Sequence, residues 1–301
     1  MLVPNAVTIL NIGNPAREVK RTDAANFPQM RALLVLNRRS RLGLREGAAV
    51  YGMLEDAGIS CVSDTRAPVD AVIAAGGDGT LIGAIPLALE RHVPIGIVPL
   101  GTFNDLAKTL GVPATAAQAC AALAQGRTRT IDLGRVNGCY FVNEASIGVT
   151  TRIARRQTPE IKQRFGVLGV ISTALQTLPH IRAFSAHLSY DGHREHVRTV
   201  QITVANNAHF GGIFERIDAS IDDGWLDLYS IEPRNLLDAV SLVRKIIVRD
   251  PSSGAGLRTR RAAQFRIATR HAHHISADGE PAGMTPALFE VLPKALRVLV
   301  P

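Results

Sequence analysis

Residues 71–80 read Ala71-Val72-Ile73-Ala74-Ala75-Gly76-Gly77-Asp78-Gly79-Thr80. A short apolar run that meets three glycines and an acid is a buried strand ending in a tight loop. Glycines admit positive φ and let a ligand approach the amide N–H groups, and such a nest of amides suits phosphate oxygens. The acid in its middle repels a bare phosphate, so Asp78 is expected to orient the loop or to act through a metal. Two stock alternatives fail on spacing. There is no Gly-x-x-x-x-Gly-Lys-[Ser/Thr], which excludes a P-loop, and the dinucleotide fingerprint needs a third glycine where Ile82 stands.

Working outward, Ile95-Gly96-Ile97-Val98 is a second buried strand, followed by the punctuated loop Pro99-Leu100-Gly101-Thr102-Phe103-Asn104-Asp105. Asn104 or Asp105 can cap a helix over 106–110, stopped by Gly111 and Pro113. Residues 81–92 are helical in pattern, with Pro86 placed in the first turn or at a kink. The unit is strand–loop–helix–strand–loop–helix, and its right-handed crossover makes the strands parallel. Both glycine loops then share one carboxyl edge, where open α/β sheets bind ligands. Asp78, Gly79 and Thr80 are expected to face Thr102, Asn104 and Asp105 across a crevice.

Beyond about Asp132 the pattern changes. Residues 130–136 and 139–145 flank Asn137-Gly138, and 186–190 and 198–205 flank Asp191-Gly192, which read as hairpins with tight turns. Strands also fit 226–231, 264–268, 273–277, 287–292 and 296–300, which predicts an antiparallel β domain of sandwich type. Helical patterns over 151–178 and 236–248 interrupt it, the first carrying a basic stretch at 152–164 beside an apolar one. That combination fits either a lipid surface or a solvated face with a core face. His271 and His273 alternate onto one strand face without a third ligand at metal-binding spacing.

With 301 residues the chain can bury a large core and is expected to form two domains. Three scattered cysteines without a CxxC point to a reducing cytosol. No basic start followed by an apolar run predicts no signal peptide, and no run of about eighteen apolar residues predicts no membrane span. The net charge of +8 suits an anionic surface, but few aromatics accompany the basic residues and no nucleic-acid motif is present. The expected location is cytoplasmic, peripheral at the inner face of the membrane.

Gly76-Gly77-Asp78-Gly79-Thr80 followed by Pro99-Leu100-Gly101-Thr102-x-Asn104-Asp105 resembles the diacylglycerol kinase catalytic family, including its bacterial soluble lipid kinases. The likeness extends through Ile131-Asp132-Leu133-Gly134, Phe141-Val142-Asn143-Glu144-Ala145-Ser146-Ile147-Gly148, Asp223-Gly224-Trp225-Leu226-Asp227 and Ala277-Asp278-Gly279-Glu280, in order, from about Leu33 to the end. It implies an α/β N-terminal domain with a parallel sheet, of the NAD kinase and diacylglycerol kinase type, over 31–133. An antiparallel β-sandwich C-terminal domain follows over 134–301, and an extension occupies 1–30.

It further implies an ATP-dependent lipid kinase with Mg2+. Glu280 is then the general base, supported by Asp278. The nucleotide is held by Asn37, by Gly76, Gly77, Asp78, Gly79, Thr80, Leu81 and Ile82, and by Thr102, Asn104 and Asp105, with the amides of Gly77, Gly79 and Thr80 cradling phosphates and Asp78 and Asp105 orienting magnesium. A structural magnesium site maps to Asp223 with the carbonyls of Ser220 and Trp225. A homodimer is open, and so is a nucleotide contact from Thr65. Departures from the family pattern fall at Asn37-Arg38-Arg39-Ser40-Arg41 and Ile82-Gly83. NAD kinase shares the first loop and an Asn-Glu pair, imitated by Asn143-Glu144. An inactive nucleotide-binding relative would lack the base, whereas Glu280 is present.

Overall fold

The computed structural model describes residues 8–9, 30–36, 41–62, 64–149, 151, 182–206, 209–210, 214–215, 220–232 and 256–301. Asn37, the helical stretch expected over 151–178 apart from Thr151, and the one expected over 236–248 lie outside them. The chain divides into two compact units, Met1–Thr130 with Leu296–Pro301, and Ile131–Ala295.

The first unit comprises β1 (Thr8–Ile9), β2 (Met30–Leu36), α1 (Arg41–Asp56), β3 (Ile59–Val62), β4 (Ala71–Gly76), α2 (Asp78–Arg91), β5 (Ile95–Pro99), α3 (Asp105–Thr109) and α4 (Ala116–Leu123). β2, β4 and β5 are buried apolar runs of the kind that parallel sheets require. β2 pairs in parallel with β3 and β4, and β4 with β5. Val298, near the C-terminus, pairs in parallel with Ile95. Thr8–Ile9, in the extension, pairs antiparallel with Leu36 and Val35. Leu34, Leu36, Val50, Leu54, Ile73 and Leu123 form part of the core that α1 and α4 cover.

α2 begins at Asp78, three residues before the expected start, because the glycine loop is itself the first turn. Gly77 is extended at φ −92, and its carbonyl accepts the amides of Thr80 (3.0 Å) and Leu81 (3.2 Å). Pro86 therefore stands well inside the helix, on its exposed side, and the helix runs on to Arg91.

The second unit contains β6 (Thr128–Val136), β7 (Cys139–Phe141), β8 (Glu144–Gly148), β9 (Phe184–Tyr190), β10 (His193–Thr199), β11 (Gln201–Ala205), β12 (His209–Phe210), β13 (Phe214–Glu215), β14 (Leu226–Ile231), β15 (Leu257–Ala262), β16 (Gln264–Thr269), β17 (His274–Ala277), β18 (Glu280–Met284) and β19 (Ala287–Leu299), of which β6 enters from the first unit and β19 ends in it. One antiparallel sheet runs β15-β14-β11-β8-β17-β18; the other runs β10-β9-β16-β19, with β6 pairing β19 and β7. Their inward residues, among them Phe141, Ile147, Leu188, Val204, Leu228, Phe265, Ile275 and Phe289, form one core. This is an antiparallel sandwich.

Several strands differ from the sequence expectation. The run 139–145 splits into β7 and β8, which belong to different sheets. The run 198–205 splits into β10 and β11 at Val200. Runs 287–292 and 296–300 are instead one strand, in which Lys294 takes a positive φ of 52. His271 and His273 precede β17, so no strand alternation relates them.

Candidate active site

The two glycine loops of the first unit touch. The Leu100 amide donates to the Gly76 carbonyl (2.9 Å), and a Cβ on Gly77 would lie 3.1 Å from Gly101 Cα. A Cβ on Gly101 would run into Gly77 Cα and come within 2.6 Å of Asn104 Oδ1. Only glycine allows this approach. The space left among Gly76, Gly77, Asp78, Leu81, Asn104 and Ala107 is about 10 Å3, room for one water at most. The expected crevice is therefore closed by direct contact, and the outward rim, where Gly79 and Thr102 are exposed, is what the loops present.

Asp78 bridges the loops. Its Oδ2 accepts the Asn104 amide and its Oδ1 the Asp105 amide, both at 3.1 Å. The cap of α3 thus comes from another loop and not from Asn104, which makes no side-chain cap bond and is left-handed at φ 51. Asn104 instead brackets Gly101: its Oδ1 accepts the Gly101 amide (3.0 Å) and its Nδ2 donates to the Gly101 carbonyl (2.7 Å). Burial pushes the Asp78 carboxyl above its usual range and the neighbouring Asp105 carboxylate adds to this, while the Asp105 and Asn104 amides act the other way. Asp105 is buried, with Lys108 Nζ 3.7 Å from its Oδ1. The Thr80 amide, expected to cradle phosphate, is spent on the Gly77 carbonyl, and its side chain is buried. Ile82, at the inner end of the motif, is half-buried, and Leu81 is buried.

In the second unit, Asp278 and Gly279 take φ 45 and 85, the positive values of a two-residue hairpin turn, and Ala277 pairs with Glu280 across it. The Asp278 carboxylate accepts three consecutive amides, those of Val142 (2.6 Å), Asn143 (3.0 Å) and Glu144 (2.9 Å). Its own amide donates to the Glu144 carbonyl (2.8 Å). This explains why the run 139–145 breaks: the amides of 142–144 turn toward Asp278 and leave the ladder. Asp278 thereby fixes the turn that presents Glu280, whose side chain is exposed.

Two further groups support the same turn: Asn206, which the sequence reading did not name, and Asp132, which it named only within a motif. Asn206 Nδ2 donates to the carbonyls of Asp132 and Val142, each at 3.1 Å, and its amide donates to the Asn143 carbonyl (2.9 Å). Buried Asp132 accepts the amides of Gly224 and Lys294, both at 2.6 Å. The Asp132 motif was visible in the sequence, but its partners stand 92 and 162 residues away.

Ser220, Asp223 and Trp225 share one turn. Asp223 accepts the Trp225 amide (3.0 Å) and the Ser220 amide (3.4 Å) and pairs with the Arg261 guanidinium. Magnesium takes octahedral oxygen ligands with short bonds. The Asp223 carboxylate, taken up by two amides and a guanidinium, does not fit that ion as arranged. Among the described residues no cluster of three or more His, Cys, Asp or Glu could hold a metal.

Comparison with known proteins agrees with this architecture. Residues 49–136 match the family model described as the diacylglycerol kinase catalytic domain. Residues 143–300 match the one described as the YegS C-terminal NAD kinase beta sandwich-like domain. A diacylglycerol kinase of Bacillus subtilis is 28% identical over 239 residues, covering 77% of this chain and 78% of its own. One of Staphylococcus saprophyticus is 25% identical over 271 residues, covering 89% and 88%. A crystal structure of a diacylglycerol kinase from Bacillus anthracis superposes with a TM-score of 0.69 at 21% identity, covering 91% of this chain and 97% of its own, a likeness of fold. The ordered motifs, the α/β unit with its two joined loops and the sandwich with its Asp-Gly-Glu turn find one explanation in these matches: the chain belongs to the diacylglycerol kinase catalytic-domain family, whose members are phosphotransferases with an alcohol acceptor.

Proposed function

We propose that the protein moves the γ-phosphate of ATP to the hydroxyl of a lipid alcohol of the diacylglycerol type. The observation that carries this is the bridge from Asp78 to the amides of Asn104 and Asp105, which holds two glycine loops as one surface. Gly79 lies exposed in the first turn of the fourteen-residue α2. A helix start offers amides without an intrahelical partner and the positive end of the helix dipole, which suit a phosphate. The exposed Thr102 stands on the joined loop. Asp78 acts as the clamp of this surface, which agrees with both its carboxylate oxygens already accepting amides.

Phosphoryl transfer depends on positioning and charge compensation more than on covalent chemistry. Glu280 takes the proton of the lipid hydroxyl as that oxygen bonds to the γ-phosphorus; the bond from phosphorus to the β–γ bridging oxygen breaks, and ADP leaves. General-base assistance of this kind is worth about 10²–10⁴-fold. Asp278 supports the base through the backbone of 142–144. Magnesium enters with ATP as part of the substrate. The net charge of +8 suits an anionic membrane surface from which the lipid is drawn, and no described helix is long and apolar enough to cross a membrane.

The test is thin-layer analysis of labelled ATP incubated with the protein and, separately, short-chain diacylglycerol, a sphingoid base, phosphatidylglycerol and NAD. Label appearing in a lipid supports the reading and names the acceptor. Label in NAD alone, or in none of the four despite nucleotide binding, overturns it.

A further inference from the structure

Within the second unit a cavity of about 500 Å3 opens beside the start of β17. Arg182, Arg270, His271, His273, His274 and Phe184 line it, and among the described residues no aspartate or glutamate does. Two exposed guanidiniums without a carboxylate partner among the described residues face a space of ligand size. Ser185 adds a hydroxyl to the wall, whereas the buried Thr151 hydroxyl donates to the Ser146 carbonyl (2.9 Å).

The wall is held by bonds that do not involve a ligand. Buried Thr285 accepts the His273 amide through its hydroxyl and donates its own amide to the His273 carbonyl, both at 2.9 Å. Thr269 Oγ1 donates to the His271 carbonyl (2.7 Å). The His273 ring stacks on Phe184 with centroids 4.3 Å apart. These contacts fix the 270–274 segment, so the cationic groups are presented on an ordered edge.

The cavity is also separate from the proposed base. β8 and β17 are antiparallel, with Ile275 opposite Ile147 and Ala277 opposite Ala145. Gly148 and His274 lie at the cavity end, whereas the Asp278-Gly279-Glu280 turn follows Ala277 at the other. Three residue steps along β17 separate His274 from Ala277, about 10 Å.

We propose that this cavity is a phosphate-monoester site. A guanidinium offers a planar fork of N–H donors that matches phosphate oxygens. Two such forks with imidazole groups and the Ser185 hydroxyl around them suit a compact dianion. The phosphate belongs either to a free ion or to the headgroup of a monoester phospholipid.

The experiment compares the intact protein with the Arg182→Ala/Arg270→Ala double variant and with Arg182→Lys/Arg270→Lys. Both positions are exposed, and thermal melts verify folding. The probes are inorganic phosphate, followed by 31P line broadening, and flotation with phosphatidylcholine vesicles with or without phosphatidic acid. Phosphate bound at the glycine loops is common to all three proteins and cancels in the comparison. A loss of at least tenfold in binding by the alanine variant, with partial retention by the lysine variant, is expected. Loss seen with both probes assigns the site to free phosphate, and loss seen with vesicles alone assigns it to a lipid headgroup. Equal binding by the intact protein and the alanine variant to both probes, or binding of neither probe by the intact protein, overturns the proposal. Turnover on a short-chain diacylglycerol should be unchanged in the alanine variant, so a failure here is distinguishable from a failure of the kinase reading.

Discussion

Replacing Asp78 by asparagine separates the clamp from a metal ligand. The carboxylate accepts the Asn104 and Asp105 amides at 3.1 Å each. An amide side chain keeps one acceptor and turns its NH2 toward the other backbone N–H. One charge-assisted bond is lost and the other becomes neutral. A hydrogen bond to a charged group is worth about 1.5–3 kcal/mol and a neutral one about 1, so the gross loss is about 2–5 kcal/mol. Part of it returns, because burial and Asp105 already raise the Asp78 carboxyl pKa and the neutral side chain escapes that cost. A net loosening of about 2 kcal/mol is expected, roughly thirtyfold in the population of the open second loop.

The assay has three readouts: hydrogen exchange at the amides of Asn104 and Asp105, the KM for ATP at saturating lipid, and both repeated at tenfold higher magnesium. Faster exchange at those two amides with a KM raised about tenfold or more, unaltered by magnesium, is expected. Recovery of KM in excess magnesium would mean that Asp78 holds the ion, and unchanged exchange with an unchanged KM would remove the clamp from the account.

Glu280→Gln should lower turnover by about 10²-fold or more while nucleotide binding is retained; calorimetry with ATP and a steady-state assay check both halves, and near-normal turnover excludes Glu280 as the base. Gly101→Ala forces its Cβ against Gly77 Cα and toward Asn104 Oδ1 at 2.6 Å, so a cost of about 1–3 kcal/mol is expected, visible as a lower denaturant midpoint and weaker ATP binding. Glu195 is held down to about 2 from 4.5, first by the Arg260 hydrogen bond and also by Tyr190 and Arg258. Since the folded state lowers this pKa, the stabilisation is complete above about pH 4.5 and fades as pH falls toward 2. The melting-point gap between the intact protein and Glu195→Gln should therefore narrow across that window, and a constant gap refutes the assignment.

The strands bearing the glycine loops were legible because buried parallel strands are written as local apolar runs closed by glycine. The turns at Asn137-Gly138 and Asp191-Gly192 were legible for an equally local reason: each pair takes positive φ, 48 and 80 in the first and 44 and 77 in the second. What escaped reading is non-local. β15, Leu-Arg-Thr-Arg-Arg-Ala, reads as a polar stretch, yet Arg258 pairs with Glu195 on β10 and with Glu232 just after β14, and Arg260 pairs with Glu195. The single β19 looked like two strands because Pro293 interrupts the pattern, and the break is spanned through the Lys294 amide, which reaches Asp132. The start of α2 was misplaced because Asp78, Gly79 and Thr80 carry little helix propensity, and only the Gly77 carbonyl shows that the turn has already formed.

The motif acids themselves sort into two groups by what their oxygens already do. Asp78, Asp132 and Asp278 each use both carboxylate oxygens on backbone amides that lie between 26 and 162 residues away in the chain. Asp223 is engaged by Arg261 and the Trp225 amide. A carboxylate so occupied is a poor proton acceptor in transit, since taking a proton breaks an amide contact that costs about 1–3 kcal/mol to leave unmade. Glu280 differs: it is exposed, it follows a turn fixed by Asp278, and among the described residues no amide or cation is bonded to its carboxylate. Of these five acids it alone can accept a hydroxyl proton without dismantling a loop. Under the proposed kinase reading, that division makes the aspartates brackets and leaves Glu280 for the chemistry. It also predicts how the variants differ: loss of an aspartate should appear in stability and binding, and loss of Glu280 in turnover alone.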